Sequence, residues 1–565
     1  MNSLMLILLM ILGYLIAYNT YGKFLAKRIF KIDSQRICPS VEFRDNHDFV
    51  PTNKHILFGH HFTSIAGLGP IVGPAIGIIW GWLPAVLWIF FGSIFMGAVH
   101  DFGSLVISLR SEGRSIGDIA ADVISKRVRI LFLLIIFFEL LVLIAIFSLI
   151  VALLFIDFPI AVIPVWSQAV IAICLGYLIY KKNFSYILPS ILAVIIMYIT
   201  IIIGCYFPIS LDRFFDYNTA LIIWIVLVLI LNAWLASSLP VHVLLQPRDY
   251  INSHQLIIAM GLLAIGVIIS HPCIVAPVFN LNVKDAPPIL PFIFVIIACG
   301  AISGFHSLVS SGTSSKQCDS EGSALFIGYG SMLMESVLSA LVVVSVAAGI
   351  GLGLKESDGS IFFGKQAFFH HYYSWTAANG LSDKIGTFIQ GSANMMESIG
   401  IPPFIALAIM AVFIVSFAAT TLDSATRIQR YVIVELSNAL NIKFLQEKNR
   451  ATAFAVLSAA ALAFCNGSGK GAMKLWPLFG SVNQLLAGLA LLVITIYLVK
   501  RKSNIIYITM PMIFMIIMTG WSIIMKISFS FKNQNWLLLG IGISVFLLQL
   551  WMIIESIIVL ILQKK

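Results

Sequence analysis

Charge is scarce in this sequence. Only 11% of its 565 residues are Asp, Glu, Lys or Arg, against 60% hydrophobic, and the mean hydropathy is +1.00. That balance excludes a soluble globular domain. Cysteine is thinly spread as well: seven residues at positions 38, 174, 205, 273, 299, 318 and 465, with no CxxC pair. This excludes a disulfide framework and speaks against a cysteine metal site. No basic residue precedes the apolar stretch 4–17 and no small-x-small cleavage site follows it, so it reads as a retained first span and not a signal peptide.

What the chain has in abundance is apolar runs of about 20 residues, the length that crosses a hydrocarbon core. They predict an all-α polytopic membrane protein with about fifteen transmembrane helices. With the N-terminus outside and the C-terminus in the cytoplasm, each alternate loop is the more basic one, including Lys23 to Lys54, Arg110 to Arg129, Arg427 to Arg450, Lys500 to Lys502 and the terminal Lys564 and Lys565. This is a positive-inside pattern for a cell-membrane protein. The net charge of +10 is therefore topogenic. The lipid bilayer is the expected partner and nucleic acid is not; oligomeric state is not legible.

Several spans are built to break. The second, 57–79, contains FGHHFTSIAGLGPIVGP, with Gly59, Gly67, Gly69 and Gly73 beside Pro70, Pro74, His60 and His61. Glycine and proline remove helix propensity and, at proline, a backbone donor. In lipid such backbone survives only where protein surrounds it or a cavity supplies a partner. Close packing through small residues would account for Gly69 and Gly73, but not for two adjacent histidines. In the seventh span, 219–245, Asn232, Ser237, Ser238 and Pro240 predict a second, mid-span interruption. The two lie five spans apart, an odd offset that places them in opposite orientations, as in transporters with inverted repeats. At the inner end of the ninth span, 289–312, Ser303, His306, Ser307, Ser310, Ser311 and Thr313 include neighbours at helical spacing that give a face of hydroxyls and an imidazole.

Intramembrane charges are costly unless paired or hydrated. Asp101, next to His100 in the third span, is expected to pair with a histidine of the second. Glu335 in the tenth span reads as an ion-pair partner or a proton site, and Asp423 with Arg427 as a local helix pair. Glu139 and Glu555 stand isolated and carry no assignment. A reading of a different class gathers His60, His61, Asp101 and His306 into a metal site or enzyme centre.

The motifs VPTNKHILFGHHFTSIAGLGPIVGP, GAVHDF, SSLPVHVLLQPRDY, ACGAISGFHSLVSSGT, FIGYGSMLMES and TTLDSATRIQRY, in that order over residues 40–435, resemble the carbon starvation protein A family. The resemblance implies an inner-membrane secondary transporter, not an enzyme, that imports pyruvate or small peptides by proton symport. It also implies kinship with the amino acid-polyamine-cation (APC) superfamily and its LeuT-like 5+5 inverted-repeat core. On that frame the chain divides into 1–56 (first helix and basic loop), 57–210 and 211–435 (the two halves), and 436–565 (about four peripheral helices). The substrate site is then expected at Gly59, His60, His61, Gly67, Gly69, Asn232, Ser237, Ser238 and His306, with half-helix amides receiving a carboxylate. Coupling falls to His60 or His61 with Asp101, and to Glu335. A competing sodium scheme uses Ser307, Ser310, Ser311 and Thr313 to take up a small carboxylate or amino acid. Neither scheme calls for a cofactor beyond the coupling proton or sodium ion, or for a resident metal.

Overall fold

Because a backbone group without a partner costs several kcal/mol in lipid, an apolar chain of this kind has little choice but helix. The computed structural model describes residues 2–182, 184–356, 359–378 and 381–562. Lys564 and Lys565 lie outside them. In chain order the principal helices are α1 (Ser3–Ile29), α2 (Lys54–Ile65), α3 (Gly69–Trp80), α4 (Trp82–Leu109), α5 (Lys126–Asp157), α6 (Pro159–Lys181), α7 (Ile187–Arg213), α8 (Tyr217–Ser238) and α9 (Leu245–Ser270). They continue with α10 (Ile289–Ile296), α11 (Gly304–Gly312), α12 (Glu321–Leu352), α13 (Pro403–Leu440), α14 (Lys448–Phe464), α15 (Trp476–Lys500), α16 (Ile506–Lys532) and α17 (Trp536–Ile561). A two-stranded antiparallel ribbon pairs Leu354–Lys355 with Ile361–Phe362.

Among the described residues twelve helices are long and apolar enough to cross a membrane, or thirteen if α2 and α3 count as one span bent by 46°. The expected fifteen differs for two local reasons. The ninth run divides into α10 and α11, of eight and nine residues, and α14 reaches only 17 residues.

The predicted break in the second span is present, at Ala66 to Leu68 between α2 and α3. The predicted mid-span break in the seventh is not. α8 runs to Ser238, and the non-helical stretch 239–244 is a turn between α8 and α9. Pro240 falls in that turn, and Pro247 sits in the first turn of α9, where the missing N–H is tolerated.

The second interrupted helix is the ninth. Between α10 and α11 the chain leaves helical geometry at residues 297–303, with Gly300 at φ +86°. The two interrupted helices run antiparallel and cross at their breaks. α2 lies beside the end of α11, where His61 Nδ1 meets Ser314 Oγ at 2.7 Å. α3 lies beside α10 so closely that a Cβ on Gly73 would stand 2.6 Å from the Ile296 carbonyl oxygen.

α12 binds the crossing together. Ser336 Oγ donates to the Gly300 carbonyl at 2.7 Å and Ser339 Oγ to that of Pro70 at 3.1 Å, giving partners to carbonyls that the breaks release. α15 is not peripheral, contrary to the expectation for the C-terminal helices: 89% of its most apolar stretch is buried. Its Asn483 Oδ1 accepts from the Phe305 N–H at 3.0 Å, and Asn483 Nδ2 donates to Ser303 Oγ, also at 3.0 Å, capping α11. α17, with 28% of its most apolar stretch buried, does lie at the rim.

Outside the membrane-spanning part, the loop after α1 is tied to the end of α13. Asp48 Oδ1 accepts from Arg427, Arg430 and the Tyr431 hydroxyl, each at 2.8 Å. Burial pushes the Asp48 carboxyl up, but the hydrogen bond from His47 and the charges of Arg430, Arg427 and Lys316 outweigh it and hold Asp48 well below the ordinary carboxylate range.

Candidate functional site

Two clusters of buried ionisable side chains flank the crossing. The first is built by α2, α9, α13 and the turn after α11. His60, nearly two turns before the break, places Nδ1 2.6 Å from Asp249 Oδ2 on α9. Its Nε2 meets Thr313 Oγ1 at 3.2 Å and receives Gln317 Nε2 at 3.1 Å. Gln317 is oriented by Gln246, whose Nε2 donates to Gln317 Oε1 at 2.6 Å and to Thr52 Oγ1 at 2.7 Å. Tyr180 in turn donates to Gln246 Oε1. These directions leave His60 donating from Nδ1 to Asp249, so a hydrogen-bonded chain runs Tyr180, Gln246, Gln317, His60, Asp249.

Arg248 completes this cluster. Its Nη1 is paired with Asp423 on α13, and its Nη2 lies 3.5 Å from Asp249 Oδ1. Arg248 is 4% exposed, and His60, Asp249 and Asp423 are fully buried. Ser64, the last polar residue before the break, hydrogen-bonds Ser424 at 2.9 Å and approaches Asp249 at 3.4 Å. A Cβ on Gly67, inside the break, would lie 2.5 Å from Thr421 Oγ1. One guanidinium thus stands between two carboxylates beside open backbone, and the set is neutral only when a further proton is held. Arg248 Nε and Nη2 and Asp249 Oδ1 make no hydrogen bond, which is costly at full burial.

The second cluster lies between α4, α11 and α12. Asp101 Oδ1 accepts from His100 Nδ1 at 2.7 Å, and Asp101 Oδ2 from His306 Nδ1 at 3.0 Å. His306 Nε2 faces Glu335 Oε2 at 3.4 Å. All four side chains are fully buried.

The expected site residues are therefore distributed as follows. His60, Gly67 and Thr313 belong to the first cluster, and Asp101, His306 and Glu335 to the second. Gly59 packs on α9, where an added Cβ would meet Ser253 Oγ at 2.6 Å, and Gly69 lies against Cys299 of the opposite break. His61 bonds Ser314 and not Asp101, whose histidine partners are His100 and His306. The proposed four-residue metal set of His60, His61, Asp101 and His306 is split between the two clusters. Asn232 is half-buried in the last third of α8, Ser238 Oγ bonds its own helix at Trp234, and the Ser237 carbonyl accepts from Arg430 on α13. On α11, Ser307 Oγ donates to Gly304 O at 2.7 Å and Ser311 Oγ to Ser307 O at 2.6 Å. Both hydroxyl hydrogens are committed to their own helix while the oxygens can still accept, and only Ser310 Oγ among the three is without a partner. Asp423 pairs with Arg248 across helices, and Arg427 with Asp48 and the Ala236 carbonyl, in place of the local pair expected.

Sequence reasoning missed Asp249, Arg248 and Cys299. Arg248 reads as a loop charge and Asp249 carries no reading, and the one signal available was their adjacency to Pro247 at a helix start.

Two antiparallel interrupted helices meeting among buried, incompletely paired charges define a polytopic membrane protein of the transporter class. A family model described as "Carbon starvation protein CstA" matches residues 2–361 and 364–522. The chain is 32% identical to the peptide transporter CstA of Campylobacter jejuni, over 93% of this chain and 80% of the relative. It is 33% identical to that of Helicobacter pylori strain J99 and 30% identical to the pyruvate/proton symporter BtsT of Escherichia coli, each over 93% of this chain and 82% of the relative. A manganese transporter of Eremococcus coleocola aligns over 91% of this chain and 98% of its own at TM-score 0.45 and 12% identity, a likeness too loose to carry an argument. The chain belongs to the carbon starvation protein CstA family, and with it to transport proteins and not enzymes.

Proposed function

We propose that this protein is a secondary active importer of a small carboxylate, pyruvate or a short peptide, driven by protons through alternating access at the crossing of the two interrupted helices. The observation that carries the reading is the Arg248, Asp249, Asp423 and His60 set: one buried cation shared by two carboxylates beside the α2–α3 break. A proton taken by this set neutralises it and loosens the hold on Arg248. A freed guanidinium is the side chain best shaped to receive a substrate carboxylate in two parallel hydrogen bonds. Substrate and proton then enter the same state together, which is the requirement for symport.

Proton coupling is favoured over sodium by the charge of this set, whose second carboxylate one proton neutralises. Coupling is accordingly assigned to His60 with Asp249 and Asp423, and not to a direct His61 to Asp101 relay. The names of the relatives supply the substrate candidates: a peptide transporter and a pyruvate/proton symporter. The crossing of two antiparallel broken helices supports an inverted-repeat core; its second broken element is at the ninth run, where a LeuT-like 5+5 core with halves 57–210 and 211–435 would place it at the seventh. The N-out, C-in orientation belongs to the same proposal.

The test is uptake of labelled pyruvate and of a panel of short peptides into proteoliposomes under imposed proton or sodium gradients. Accumulation driven by an inward proton gradient alone is expected; accumulation that follows only the sodium gradient overturns the scheme.

A further inference from the structure

We propose that Cys299, His306 and Glu335 form a site for a borderline-soft divalent cation such as Zn²⁺, placed so that the bound metal clamps the α10–α11 break to α12. Cys299 Sγ, a His306 ring nitrogen and a Glu335 carboxylate oxygen all lie within 4.8 Å of one another. Cys299 lies inside the break, His306 one turn beyond it, and Glu335 on the strut that also holds the Gly300 carbonyl through Ser336. A metal there would fix both sides of the interruption to one helix.

Three observations favour a cation over a simple ion pair. The first is that His306 Nε2 and both Glu335 oxygens are buried with no hydrogen-bond partner, so each aims a lone pair or a proton at the same small space. The second is the spacing. His306 Nε2 and Glu335 Oε2 stand 3.4 Å apart, and two ligands on one tetrahedral ion with bonds of about 2.0–2.3 Å are separated by about 3.3–3.8 Å. The third is the back of the imidazole. His306 Nδ1 is held at 3.0 Å by Asp101, which His100 holds in turn at 2.7 Å. A carboxylate behind a histidine fixes the proton on the far nitrogen and turns the near one toward a metal.

The donor set of thiolate, imidazole and carboxylate suits Zn²⁺ or Co²⁺ and not Mg²⁺ or Ca²⁺. Three protein ligands leave a fourth position open. On binding, the Cys299 S–H bond breaks, an S–metal bond forms, and the thiol proton leaves to solvent together with any proton held between His306 Nε2 and Glu335; His306 keeps its Nδ1 proton and coordinates through Nε2. Gly69 makes the room, since a Cβ there would lie 2.3 Å from Cys299 Sγ.

This site is separate from the His60, Asp249 and Asp423 set to which proton coupling is assigned, so the two proposals stand or fall independently. The test is titration of the purified, tag-free full chain with Co²⁺, read by absorption, with stoichiometry from elemental analysis after Zn²⁺ loading. One metal per chain is expected, with tetrahedral Co²⁺ bands and a thiolate-to-cobalt charge-transfer band. Cys299→Ser, a near-isosteric change, should abolish the charge-transfer band. Asp101→Asn should weaken Co²⁺ binding about 10- to 100-fold, and Glu335→Gln at least as much. Failure of the folded wild-type chain to take up one metal, or an unchanged Co²⁺ spectrum in Cys299→Ser, overturns the proposal. Metal retained at full stoichiometry by a Cys299→Ser, Glu335→Gln double variant overturns it too, because the ion then sits elsewhere.

Discussion

Replacing Arg248 with Gln is the perturbation whose effect is set most directly by the charge count of the first cluster. The guanidinium is 4% exposed and shared by two fully buried carboxylates, Asp249 and Asp423. Removing it leaves both without a cation, and breaking a buried pair by deleting one partner costs about 3–5 kcal/mol. Asp423→Asn alone leaves Arg248 beside Asp249, one cation to one anion, so its cost is that of a charged hydrogen bond, about 1.5–3 kcal/mol. The order reverses in combination. Arg248→Gln with Asp423→Asn carries one uncompensated carboxylate where Arg248→Gln carries two, so the double variant should be more stable than Arg248→Gln by about 1–3 kcal/mol. The assay is unfolding of the detergent-solubilised protein by heat or denaturant for wild type, both single variants and the double. If Arg248→Gln is as stable as wild type, or if Asp423→Asn recovers no stability in its background, the three charges do not form one electrostatic unit and the reasoning fails.

Three further outcomes follow from particular contacts. Gly73→Ala drives a methyl to 2.6 Å from the Ile296 carbonyl oxygen and 3.2 Å from Ile297 Cα, both backbone, so a loss of about 1–3 kcal/mol is expected in thermal unfolding, together with reduced uptake; Gly261→Ala, whose Cβ meets nothing within 4 Å, is the control that should lose neither. Asp48 is held below the usual carboxylate range in the folded chain, so the unfolded chain binds the extra proton as pH falls: the stability of wild type relative to Asp48→Asn should be constant above about pH 5 and shrink below about pH 4, and a difference independent of pH from 3 to 7 contradicts the assignment. Ser310→Ala removes the one α11 hydroxyl of the serine trio without a partner. It should leave initial uptake rates and their insensitivity to sodium within twofold of wild type in proteoliposomes; a rate that falls tenfold and is restored by high sodium would favour the sodium scheme.

The helices were legible because hydropathy reports burial in lipid directly, and the α2–α3 break because four glycines and two prolines leave no good helix at Ala66 to Leu68. The ninth run hid its break. ACGAIS contains one glycine and no proline, and what stops the helix is tertiary: Ser336 takes the Gly300 carbonyl and Asn483 caps α11 from a helix some 180 residues away. The seventh run misled in the opposite sense, since Pro240 and Pro247 mark a turn and a helix start equally well as a mid-span interruption. Asp101, His306 and Glu335 were each visible as polar residues in apolar runs, but their mutual pairing was not, because no periodicity links α4, α11 and α12. Arg248 and Asp249 were invisible for a simpler reason: a charge at a helix end looks topogenic until a partner such as Asp423 is found more than 170 residues on. Cys299 carried no ligand-like spacing, seven residues before His306 and far from Glu335.

The central claim is that proton and substrate meet at His60, Asp249, Arg248 and Asp423. Asp249→Asn removes one of the two carboxylates and balances Arg248 against Asp423 without a proton. The decisive measurement is accumulation of the labelled substrate by proteoliposomes carrying this variant under an inward proton gradient, alongside exchange of the same substrate at equal pH on both sides. The account predicts that exchange persists while gradient-driven accumulation is lost. Accumulation at the wild-type level by Asp249→Asn would contradict it.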